Sequence, residues 1–188
     1  MHYCTLLITK EFPSDEVIEK IMQPYNEALN EYDDNGDRIG DYPVFQWDWY
    51  QIGGRYNGSL KLKVDKTDEK YDWQYYSKGG RNKRLFRSYL LTKMKDFAKG
   101  DILYTEEDYY NTMGFRDDFL YVDGAKISDL LNFDEVECYI CIDKDGNAIA
   151  RERWNGHSFI KDEKFDEKLA EIKKQSSDCC ATILDIHD

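Results

Sequence analysis

Proline is scarce in this chain, 3 of 188 residues, and no apolar run approaches the ~18 residues that cross a bilayer. That absence argues against a helical membrane anchor. The opening stretch, Met1 to Lys10, also lacks the basic start and small-residue cleavage site of a secretory leader, so a cytoplasmic location is expected. Histidine is rare, at 3 residues, and the 5 cysteines (Cys4, Cys138, Cys141, Cys179 and Cys180) are an odd number. In a reducing compartment such thiols are expected to be buried, with no disulfide framework. Aromatic residues, by contrast, are plentiful. The 15 Tyr, 9 Phe and 4 Trp exclude a disordered polymer, which pairs high charge with few aromatics. A chain of this length can bury a core as one domain.

Positive charge is also in short supply. The 26 Lys and Arg face 38 Asp and Glu, for a net charge of −12, which excludes a protein whose whole surface coats nucleic acid or an anionic membrane. The bases that exist are unevenly placed. Residues 78–95 hold Lys78, Arg81, Lys83, Arg84, Arg87, Lys93 and Lys95 and no acid, so this island carries +7 and the remainder −19. Such an island can grip a phosphate backbone, a nucleotide or an acidic partner; equally, it can pair with acids of the same chain or of a second copy. The acidic remainder can imitate DNA phosphates before a basic groove, or serve solubility alone.

Residues 3–9 form a β-branched, apolar run that reads as a strand. Ser14 then stands as an N-cap, with Asp15 and Glu16 in the first turn of a helix carrying Ile18, Met22, Tyr25 and Leu29 on one face; Pro24 should end or kink it. Residues 31–43 read as a loop. Period-two alternation over 45–52 and 59–64 around Gly53-Gly54 predicts a hairpin, and 137–142 with 148–154 around Asp145-Gly146 predicts a second. Phe165, Leu169 and Ile172 mark a helix over about 162–175, before a closing strand over 179–186. Between the hairpins, 65–135 reads as an insertion, with a helix over 82–98 that places Phe86, Leu90, Met94 and Phe97 on one face, and a short helix at 126–132. The expected fold is α+β and a single domain over 1–188. An antiparallel sheet carries helices on one face in a ferredoxin-like β-α-ββ … ββ-α-β order, with a mostly helical insertion.

The most distinctive stretch is Trp47-Asp48-Trp49-Tyr50-Gln51-Ile52-Gly53-Gly54-Arg55-Tyr56-Asn57-Gly58. Strand alternation puts Trp47, Trp49 and Gln51 on one face. Two indoles, glycines that let backbone approach a ligand, and an Arg able to fork onto a phosphate suggest a base-stacking pocket of Trp47, Trp49, Arg55 and Tyr56. The plainer alternative is a tight hairpin whose tryptophans cover a helix and whose Arg55 pairs with a buried acid. The stretch resembles a W-x-W-Y-x-I-G-G-R-(W/Y)-x-G-x-L pattern of uncharacterised phage and prophage proteins. A Pro-Tyr pair in the first helix (Pro24-Tyr25), a D-G hairpin turn (Asp145-Gly146) and a closing D-x-H (Asp185-Ile186-His187) extend the likeness, which covers about the first 64 and last 50 residues. The resemblance implies a mobile-element origin and no particular activity.

Asp185 and His187 share one face of the last strand, which would let a carboxylate sit near an imidazole acting as general base, with Arg55 as an oxyanion or phosphate clamp. Cys138-x-x-Cys141 with Cys179-Cys180 has zinc-like spacing, but alternate strand positions face opposite sides and cannot converge on one ion. Asp33-x-Asn35-x-Asp37 fails as a calcium loop, since Arg38 and Val44 stand where Gly and Glu belong. No metal and no cofactor are expected.

The leading expectation is a phage-type binding protein, an antagonist or accessory factor with an anti-defence role. It would occupy a protein partner, a nucleic-acid-handling host or defence complex, through Lys78, Arg81, Lys83, Arg84 and Arg87. The alternative is a sponge or small hydrolase for a nucleotide-like ligand, using Trp49, Arg55, Asp185 and His187. A homo-oligomer joined by opposite charge is a third possibility, and no membrane contact is expected.

Overall fold

The structure is a computed structural model and describes residues 1–11, 13–36, 38–56, 58–63 and 119–188. The helix expected at 82–98 and the basic residues Lys78, Arg81, Lys83, Arg84 and Arg87 lie outside the described residues.

The strands are β1 (His2–Thr9), β2 (Trp49–Ile52), β3 (Leu60–Lys63), β4 (Phe119–Val122), β5 (Gly124–Lys126), β6 (Ile140–Ile142), β7 (Ala148–Ala150), β8 (Glu152–Trp154), β9 (Phe159–Lys161) and β10 (Cys180–His187). The α-helices are α1 (Asp15–Met22) and α2 (Phe165–Lys174). The main sheet runs β2-β10-β1-β6-β7, with β5 also paired to β10; β3-β4 and β8-β9 form two-stranded ribbons.

The apolar runs of β1 and β10 explain the centre of this sheet. The two strands pair antiparallel along their full lengths, from His2↔His187 to Thr9↔Cys180. Both sheet faces are covered, so successive residues on these strands are buried, as continuous apolar runs require. On one face Leu6, Ile8, Cys141, Ala181 and Ile183 pack with Phe165 and Leu169 of α2 and with Leu60 and Leu62 of β3. On the other, Leu7, Ile140, Ile142, Leu184 and Ile186 pack with Ile18 and Met22 of α1, and with Phe45 and Trp47.

The α+β class holds, but the sheet is mixed and its helices lie on opposite faces. β6 runs parallel to β1, an arrangement permitted by the long connection between them. A ferredoxin-like sheet would set β7, not β6, beside β1. The helix placement follows from handedness. β1-α1-β2 and β7-α2-β10 both cross toward the β2 edge, but they start from strands of opposite direction. Two crossovers of the same hand must then put their helices on opposite sides.

Several local expectations are met. Ser14 Oγ accepts from the backbone N–H of Val17 at 3.4 Å, α1 ends at Met22, and Pro24 falls in the short 3-10 turn that follows. The β6-β7 hairpin turns through Gly146 at φ +85°. Others are corrected. Leu29 leaves the expected helical stripe and is exposed, because the chain has already turned at Pro24. The segment 126–132 holds a single 3-10 turn, Ile127–Asp129. Residues 119–135, read as part of an insertion, supply β5 to the main sheet.

The hairpin expected over 45–64 does not form. β2 pairs with β10, and β3 pairs with β4 in a separate ribbon. The cause lies in Gly53 and Gly54, at φ +70° and +54°, which turn the chain out of the sheet into a 3-10 turn over Gly54–Tyr56. At Ile183 the edge of β10 passes from one partner to the other: its N–H donates to Asp123 O at 2.7 Å and its carbonyl accepts from the Gly53 N–H at 2.8 Å. Among the described residues no helix is long and apolar enough to cross a membrane.

Candidate functional site

β1, β10 and β2 lie side by side, so their register sets which side chains meet. His2, His187 and Trp49 form one cross-strand row, and Cys4, Asp185 and Gln51 form the next. The three rings of the first row cluster. His187 and Trp49 stack with centroids 5.2 Å apart and planes at 9°, and His2 stands edge-on to both, at 4.9 Å from His187 and 5.3 Å from Trp49.

Each imidazole is held by a carboxylate. His2 Nδ1 lies 2.9 Å from Asp185 Oδ1, and His187 Nδ1 lies 2.8 Å from Asp48 Oδ1. A carboxylate can only accept, so each Nδ1 carries the hydrogen, and each Nε2 is left for another partner. Among the described residues neither Nε2 has a hydrogen-bond partner. The two pairs differ in setting. Asp185 is buried at 1% exposure, whereas the His187–Asp48 pair is about one-third exposed. For Asp48, burial pushes the carboxyl up, but the hydrogen bonds from His187 and from the Trp49 N–H outweigh it and leave the group below the usual carboxylate range.

The turn after β2 closes over Asp185. The Arg55 N–H donates to Asp185 Oδ2 at 2.9 Å, so this carboxylate ties β1 to the turn. A Cβ on Gly54 would stand 2.3 Å from Asp185 Cβ, and one on Gly53 would stand 2.5 Å from the Asp123 carboxyl carbon. Both glycines are therefore required by a buried acid as well as by backbone conformation. The Arg55 guanidinium is exposed, with no hydrogen bond or ion pair among the described residues. Tyr56 donates its hydroxyl to His2 O at 3.0 Å, bracing the start of β1.

The second row offers no nucleophile. Burial, then Cys138, pushes the Cys4 thiol up to about 12, so it stays protonated near neutrality. Burial also raises Cys138 and Cys180, each to about 11, and all five cysteines are free. Among the described residues no three His, Cys, Asp or Glu side chains gather as a metal site.

The structure thus brings together Trp49, Arg55, Tyr56, Asp185 and His187, but not Trp47. The indole of Trp47 is buried on the opposite face, and its Nε1 donates to Met22 O at 2.6 Å. The expected shared face fails because β2 begins at Trp49, while Trp47 bridges to Asn26 outside the strand. Asp185 and His187 share a face as expected, yet each pairs with a different partner. Those partners, His2 and Asp48, were missed. His2 could have been found from the fact that antiparallel pairing of the first and last strands brings its position opposite His187; Asp48 carries no comparable signal. Comparison of the chain with protein-family models, with curated proteins and with solved structures finds no match in any of the three.

Proposed function

We propose that the protein binds a nucleotide-like ligand, one that joins a flat ring to a phosphate, at the His2–Trp49–His187 row. The observation that carries this reading is the row of two imidazoles against an exposed indole, each imidazole with Nδ1 engaged and Nε2 without a partner among the described residues; the Arg55 backbone N–H reaches Asp185 of the same cluster, and its side chain is exposed. Trp49 supplies the stacking surface, Arg55 a forked anion contact, and the imidazoles accept or donate a proton at the phosphate. A cytoplasmic location belongs to the same reading.

Titration with AMP tests it. Binding is expected to weaken about 10-fold or more in Arg55→Ala, the loss of a charge-assisted hydrogen bond, and about 5- to 100-fold in Trp49→Ala, the loss of a stacked base. His187→Ala separates a sponge from an enzyme: a sponge tolerates it, and an enzyme loses turnover on AMP or on an activated phosphodiester. Equal AMP affinity in the parent and both binding variants would overturn the reading.

A second reading rests on the charge division of +7 over 78–95 against −19 elsewhere. It proposes a phage-type antagonist that occupies a protein partner of a host or defence complex through Lys78, Arg81, Lys83, Arg84 and Arg87. Charge reversal at Arg81, Arg84 and Arg87 should abolish salt-sensitive association while leaving the fold intact; a triple variant that associates as the parent does would remove this reading.

A further inference from the structure

A second concave site lies on the opposite face of the sheet from the histidines, and its walls are aromatic. Tyr3 on β1 and Tyr139 beside β6 lie ring to ring, centroids 4.8 Å apart with planes at 33°. Trp154 and Phe159, register partners across the β8-β9 ribbon, form an angled pair with centroids 5.2 Å apart and planes at 58°. Tyr42 closes a further side, and one face of its ring already takes the Arg38 guanidinium at 4.9 Å. The cleft between these rings offers about 40 Å³ to the centres of water-sized groups. At ~10–15 Å³ per water, that is room for about three waters.

Two carboxylates reach the cleft. Glu152 lines it and accepts the Tyr139 hydroxyl on Oε2 at 2.8 Å, while its other oxygen has no hydrogen bond among the described residues. Asp188 adds a second carboxylate at the rim. Burial first, then Asp188 and Glu152, raises the Tyr3 phenol; burial and Glu152 raise Tyr139. Bases stand near as well: Arg38 lies over the Tyr42 ring, Arg151 acts on the Tyr139 phenol, and the Met1 ammonium donates to Asp188 O. Lys161 is the register partner of Glu152 but makes no ion pair with it. Arg153 borders the cleft, yet its charge acts on Asp162, whose carboxyl is held low by Lys168 first, then by the Lys164 N–H and, less strongly, by Arg153.

We propose that this cleft binds an alkylated ammonium group, a cation whose methyl groups meet the ring faces while Glu152 balances its charge. A bare ammonium or a guanidinium would need several acceptors to replace its water, and the walls are mainly ring carbon. A methylated cation is less strongly hydrated and gains from the ring quadrupoles. The same head occurs on free choline-like molecules and on methylated lysine side chains.

Calorimetric titration of the full chain with choline and with its neutral isostere, 3,3-dimethyl-1-butanol, separates charge from shape. A peptide bearing trimethyl-lysine and the same peptide unmodified separate the two sources. At least one methylated cation is expected to bind about tenfold or more tightly than its control, and Trp154→Ala and Glu152→Gln should each weaken that binding several-fold. Trp154 is 37% exposed on a surface ribbon, so its removal leaves the core intact, and Glu152→Gln changes charge at constant shape. Tighter binding of the peptide assigns the ligand to a modified protein, and tighter binding of choline to a free small cation. Equal binding of each methylated cation and its own control, or no binding of either choline or the methylated peptide up to about 50 mM, would overturn the proposal.

Discussion

Gly54→Ala is expected to destabilise the fold by about 3–5 kcal/mol, from two costs of similar size. The left-handed backbone at φ +54° penalises any Cβ, and that Cβ would stand 2.3 Å from Asp185 Cβ, on a side chain with 1% exposure and no room to retreat. Gly36→Ala provides the control. Gly36 has φ +83° with nothing within 4 Å of its Cβ position, so it should show the conformational cost alone, about 1–2 kcal/mol. Urea unfolding of the two variants isolates the overlap term. Equal losses would mean that the turn does not press on Asp185 as described. Because Asp185 holds both His2 and the Arg55 N–H, Gly54→Ala should also disturb the imidazole row in whatever fraction stays folded.

The second large effect concerns Asp123, a buried acid beneath the same turn. Burial pushes its carboxyl up to about 7, and the hydrogen bond from the Gly58 N–H, at 2.7 Å to Oδ1, only partly opposes this. The sign follows from linkage. Between the ordinary value of 3.8 and about 7 the folded chain holds a proton that the unfolded chain has released, so stability falls as pH rises through this window and the loss levels off above it. The loss is on the order of 4 kcal/mol for a shift of about three units. Asp123→Asn keeps an oxygen for the Gly58 N–H and removes the titration. The variant should therefore be more stable than the parent at pH 8 and should lack this slope, as read from Tm between pH 4 and 8. A parent-minus-variant difference that is flat across that range would contradict the burial of an acid there.

Both predictions centre on the turn that made the sequence distinctive, and they show what could be read before the structure. Gly53-Gly54-Arg55 was legible as a special backbone segment, but not the reason for it. Strand periodicity cannot reveal that Asp123 and Asp185, each far along the chain, press against those two glycines. The same limit applies to β2 and β3. Their alternation is genuine, yet local pattern cannot choose between pairing with each other and pairing with β10 and β4.

Local features were read more accurately. The cap at Ser14, the stop before Pro24 and the Asp145-Gly146 hairpin depend on neighbours within a few residues, and all three appear in the structure. Within the candidate site, Trp49 and His187 stack and the Arg55 backbone N–H reaches Asp185, whereas Trp47 turns into the core, its indole N–H on the Met22 carbonyl. His2 entered through cross-strand register and Asp48 through its contact with His187, both long-range properties.

The proposal that His2, His187 and Trp49 face one nucleotide-like ligand rests on two Nε2 atoms that have no partner among the described residues. Imidazole ¹⁵N NMR tests it directly, because the chain has only 3 histidines and the third, His157, is exposed in the turn between β8 and β9. His2 and His187 should both show the Nδ1–H form, and adding AMP should move both Nε2 resonances while leaving His157 in place. The opposite tautomer at both rings, or an AMP response shared equally by His157, would contradict the account.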